Sequence, residues 1–151
     1  MRLLILGVDS AGRSCVAEQR ETLDFSDIPG LPGSAIARLY NTDAAPPVIG
    51  EKGEGEKSPD NPGPGLVTWY TVSHQPYPPG TKDTIATVLH HRNVVELIFI
   101  IEGGGDMMLG DGPHPVRAGD CIVMEGTSHG LRPGAEGCRL MVFGIGGVPA
   151  S

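Results

Sequence analysis

Apolar and polar residues alternate along this chain in short runs, and that pattern predicts strands almost throughout. Residues 3–8 are apolar, Asp9-Ser10-Ala11-Gly12 follows, and 14–17 returns, which predicts a β-hairpin with its turn where positive φ is cheap. Residues 35–41 alternate well enough for another strand, with Arg38 and Tyr40 on one face. Residues 66–73 are rich in β-branched and aromatic side chains and predict a strong strand; Val67, Trp69 and Thr71 share one face, Thr68, Tyr70 and Val72 the other. Further strands are expected over 84–91, 93–102, 106–109, 115–117, 120–125 and 139–145, with the glycines at 103–105 read as a turn. The best helical candidate is 16–23, and it is weak.

One stretch breaks the rhythm. Residues 44–65 are rich in Pro, Gly, Glu and Lys, with Val48 and Ile49 as the large apolar residues, a composition that does not repay ordering and predicts a flexible loop, or a lid. The chain therefore divides into N-terminal strands (1–43), that loop (44–65) and a barrel (66–146), all within a single domain spanning 1–151.

Composition narrows the picture. With 23 glycines and 14 prolines against 3 Phe, 3 Tyr and 1 Trp, the chain suits a turn-rich all-β domain. The net charge of -7 without a Lys/Arg cluster argues against nucleic acid or an anionic membrane as partner and favours a small-molecule substrate. The apolar run at the N-terminus is too short for a signal-peptide core, and no segment approaches the ~20 apolar residues of a membrane span. Cys15, Cys121 and Cys138 are odd in number and widely spaced, which predicts free thiols in a reducing cytoplasm rather than a disulfide framework or a zinc-thiolate site.

The chemistry concentrates between 87 and 131. His90 and His91 precede Glu96, the glycine cluster follows, and Gly119-Asp120 leads to His129. Neighbours on a strand face opposite ways, so only one histidine of the pair enters an interior; His90 is favoured, with His91 as the alternative. Glu96 lies among Val94, Val95, Leu97 and Ile98, where a carboxylate is normally paired, ligating or moving protons. Tyr70 and Arg38 are further candidates to face inward, and His74 to border the mouth; His114 reads as surface.

These residues resemble the two motifs of the cupin superfamily. In that family two histidines one residue apart precede a Glu, and a Gly follows seven positions after it, as Gly103 follows Glu96 here. The second motif is a Gly-Asp opening leading to a histidine, matched by residues 119–129. Within the superfamily the tail is similar to small single-domain members with a Gly-Thr-x-His turn, here Gly126 to His129, which also begin with a hairpin. The resemblance implies a double-stranded β-helix, the jelly-roll barrel, with His90, Glu96 and His129 inside. It also exposes a departure: the shorter motif spacing puts Arg92, which cannot ligate, at the second histidine, and the longer spacing puts Leu89 at the first.

Two imidazoles and a carboxylate can hold Fe, Mn, Ni or Zn with open positions, or can exchange protons without a metal. The leading expectation is a cytoplasmic lyase or isomerase, a decarboxylase or dehydratase, acting on a cyclic or aromatic metabolite. Its catalytic or metal-holding groups would be His90, Glu96 and His129, and its pocket would be shaped by Trp69, Tyr70, Ile98 and Met141. An iron-dependent dioxygenase and a non-catalytic binding protein are the alternatives. A homodimer through the N-terminal strands is expected.

Overall fold

A computed structural model describes residues 1–58, 62–77 and 88–150. In chain order the strands are β1 (Leu3–Val8), β2 (Ser14–Arg20), β3 (Ser26–Asp27), β4 (Ala35–Ile36), β5 (Val48–Ile49), β6 (Glu56–Lys57) and β7 (Val67–His74). They continue as β8 (His90–His91), β9 (Val94–Leu109), β10 (Gly112–Arg117), β11 (Cys121–Glu125), β12 (Gly130–Gly146) and β13 (Val148–Pro149). No helix occurs among the described residues, and so none that could cross a membrane. The fold is the all-β jelly roll of strands wrapped around an apolar interior.

The main sheet runs β2-β1-β11-β9-β12-β7, with β10 on β9. The N-terminal hairpin joins it because β1 runs parallel to β11, Leu3 opposite Cys121. Asp120 fixes this junction: buried at the start of β11, it takes a 2.5 Å ion pair from Arg2 and a hydrogen bond from the Arg117 N–H. Alternation then sorts side chains. Ile98 and Ile100 of β9, and Leu140 and Val142 of β12, turn inward onto a core shared with Leu4, Leu6, Met107 and Ile122.

Several elements depart from the sequence expectation. The glycines at 103–105 do not end a strand, because β9 runs through them to Leu109 with β10 on one side and β12 on the other. The backbones approach so closely there that a side chain would have no room: a Cβ on Gly103 would lie 2.2 Å from the Gly137 carbonyl oxygen. The 16–23 stretch is strand through Arg20, since pairing with β1 outweighs its weak helical pattern. Of 35–41 only Ala35–Ile36 is strand, paired locally with Ser26–Asp27, and Arg38 lies exposed beside Asn41.

The described part of 44–65 makes main-chain contacts with the barrel while many of its side chains stay exposed. Val48–Ile49 pairs with β13, Glu56–Lys57 pairs with β8, and the Ser128 N–H donates to the Lys52 carbonyl oxygen. Residues 59–61 of that stretch, and 84–87 of the strand expected before His91, lie outside the described residues.

Candidate functional site

The site is assembled from four strands. β7 presents Tyr70, Val72 and His74 inward, β8 presents His90, β9 presents Glu96 and Ile98, and β12 opens directly after His129. These residues line a cavity of about 300 Å³ whose remaining walls include Met107, Leu131, Leu140 and Val142, with Ser58 and Arg92 also facing it.

His90 and His129 are brought together by their backbones. Each N–H donates to the other residue's carbonyl oxygen at 3.0 Å, an isolated antiparallel bridge outside the main sheet. Directly opposed residues of such a pair put their side chains on the same face, and the ring centroids stand 4.7 Å apart. His129 is buried, and its Nδ1 lies 2.9 Å from the Thr127 carbonyl oxygen. A carbonyl oxygen only accepts, so Nδ1 carries the proton of the neutral ring and Nε2 keeps its lone pair. Burial pushes the His129 pKa below the ordinary 6.5; nearby Glu96 works in the opposite direction without reversing it.

Glu96 is 2% exposed and forms an ion pair with Arg92, itself 7% exposed. Arg92 Nη2 also donates to the Tyr70 hydroxyl oxygen at 2.5 Å, and the guanidinium carbon lies 5.8 Å from the Tyr70 ring centroid. Burial by itself would favour loss of the Arg92 proton, but Glu96 and Tyr70 together raise its pKa. The second carboxylate oxygen, Glu96 Oε2, is buried and has no hydrogen-bond partner among the described residues.

The sequence expectations for individual residues divide accordingly. His90, Glu96, His129, Tyr70, Ile98 and His74 all line the cavity. Trp69 and Met141 do not. Trp69 is 71% exposed, and both belong to the outward register of their strands, since β7 and β12 turn Tyr70, Leu140 and Val142 inward instead. His91, the alternative to His90, is also outside the lining; its Nδ1 is 3.5 Å from Ser128 Oγ, the hydroxyl that accepts the Gly55 N–H. Burial, then the nearby Lys52, lowers its pKa.

Arg92, which the motif spacing treats as a gap in a ligand set, lines the cavity and pairs with Glu96. A signal was present: simple alternation puts it on the face of His90 and Glu96, and a guanidinium there finds the carboxylate.

This donor set does not fit a divalent ion. The carboxylate that would bind one is already neutralised by a buried guanidinium, and a second cation beside Arg92 would be repelled in a poorly screened interior. Among the described residues no three His, Cys, Asp or Glu side chains form a metal-holding group. What the arrangement offers instead is a fixed cation, a phenol held by it, and an imidazole acceptor, in an apolar enclosure.

In comparison with known proteins, residues 73–144 match the family model described as Cupin domain. No curated protein matches the chain.

Proposed function

From the premise that this chain belongs to the cupin superfamily, we propose that it is a small-molecule enzyme of lyase or isomerase type, moving protons on a cyclic or aromatic metabolite with groups of the protein itself. The observation that carries the reading is the Arg92–Glu96 pair, buried beside Tyr70 and His129 in one largely apolar cavity. A structural domain has little reason to keep an ion pair, a phenol and two imidazoles inside a barrel, because burying them is costly unless they are used or fully satisfied.

In the proposed reaction His129 is the base. Its Nε2 takes the proton next to a carbonyl, the C–H electron pair becomes a C=C bond, and the carbonyl π pair moves onto oxygen. The Tyr70 O–H, polarised by Arg92, hydrogen-bonds the oxyanion that develops. Returning the proton at another carbon completes an isomerisation. Expelling a β-hydroxide, which takes the proton from His129 and leaves as water, completes a dehydration. Glu96 keeps Arg92 charged and aligned, and the His90 ring packs against the base at a tilt.

The test is solvent deuterium exchange into small cyclic ketones, followed by proton NMR. His129→Gln should slow exchange at least about 100-fold while the circular dichroism spectrum is kept, the low end of what a positioned base contributes. Unchanged exchange in that variant contradicts the proposal. The same reading includes a homodimer through the N-terminal strands, for which support comes from β2 standing at the edge of the main sheet, with no further strand beside it among the described residues. The unpaired state of Cys15, Cys121 and Cys138 accords with a cytoplasmic setting.

A further inference from the structure

The donors and acceptors inside the barrel define which molecules it suits, on the reading above that the cavity is the reaction site. Two groups lack their complement. Glu96 Oε2 is a buried carboxylate oxygen with no donor among the described residues, a condition native proteins rarely leave standing. The Tyr70 oxygen accepts from Arg92, so the phenolic proton is left to donate, and Tyr70 faces the same cavity.

These two groups are neighbours, because the same nitrogen, Arg92 Nη2, contacts both the Tyr70 hydroxyl and the Glu96 carboxylate. A ligand meeting both therefore carries its own donor and acceptor close together. The ion pair also cancels its charge locally, while Val72, Ile98, Met107 and Leu140 make much of the remaining wall apolar, beside the imidazoles of His74, His90 and His129. A ligand carboxylate entering here would be stripped of water and set against Glu96 without an uncompensated cation to receive it.

We propose that the ligand is an uncharged hydroxy-carbonyl or its enol, whose O–H donates to Glu96 Oε2 and whose carbonyl accepts from Tyr70. At about 30 Å³ per water-sized group, the cavity takes a molecule of about ten non-hydrogen atoms. Of the reactions open to the site, this selects dehydration or isomerisation of a neutral substrate and disfavours decarboxylation of a free acid.

The experiment uses three probes of similar size on the full chain in chelator-containing buffer: maltol, with adjacent carbonyl and enol; 2-methylpyran-4-one, with the carbonyl alone; and benzoate. Affinity is read by calorimetry and occupancy of the barrel by the His129 ring resonances. Maltol should bind at least about tenfold tighter than 2-methylpyran-4-one, the worth of one hydrogen bond to a charged group, with benzoate weaker still. Tyr70→Phe should weaken maltol by a similar factor, and Glu96→Gln should erase the preference for maltol over 2-methylpyran-4-one. Because the decisive comparison is made on the unaltered protein, it holds even if Glu96→Gln does not fold. If 2-methylpyran-4-one or benzoate binds as tightly as maltol and shifts His129, the substrate class is overturned while the barrel remains the binding site. If none of the three moves the His129 resonances, the reading of the cavity as the reaction site falls as well.

Discussion

Arg92 and Glu96 bring opposite charges into an interior where neither is stable alone. Arg92→Met should therefore destabilise the protein by about 3–5 kcal/mol, because it strands a buried carboxylate. Arg92→Met combined with Glu96→Leu should recover most of that loss, since an apolar pair of similar volume has no charge to desolvate; urea unfolding of the two variants makes the comparison. His129 sets a pH dependence. Its folded pKa lies below the unfolded 6.5, so the unfolded chain binds the proton first. The stability is fully present above pH 6.5 and is lost as the pH falls through that value toward the lowered one. His91 and His74, also lowered by burial, act with the same sign. Thermal unfolding should show a melting temperature that falls below pH 6.5, and His129→Gln should make that fall shallower.

At the scale of elements, the long strand β9 depends on residues without side chains. A Cβ on Gly105 would sit 2.1 Å from the Arg132 carbonyl oxygen, where backbone rather than a flexible side chain would have to yield. Gly105→Ala should cost about 2 kcal/mol or more. Gly12 is the control: its φ of 78° is unfavourable for alanine, but nothing lies within 4 Å, so Gly12→Ala should cost only about 1–2 kcal/mol. Equal losses in denaturant titrations would refute this account of the glycine cluster. Three glycines in sequence signal a turn, and only the two neighbouring strands reveal that the missing side chains make room for backbone.

For the molecule as a whole, the outer and inner faces of the barrel divide structure from chemistry. Trp69 lies on the outer face, so Trp69→Ala should leave probe binding and deuterium exchange unaltered and shift stability by no more than about 0.5 kcal/mol. If the dimer forms through the N-terminal strands, β2 amides not bonded to β1 should exchange more slowly at high protein concentration than at low. Uniform exchange at both concentrations would remove that interface. The sequence by itself determined the strand-rich class, the two motifs, and the candidacy of His90, Glu96 and His129, because alternation and turn chemistry are local properties of neighbouring residues. It could not determine that Tyr70 rather than Trp69 faces the cavity, since a strand's period of two fixes which residues share a face but not which face is buried. Alternation places Arg92 on the face of His90 and Glu96, but that the two charges are buried together was decided by tertiary structure, where a guanidinium finds no better partner than the carboxylate beside it.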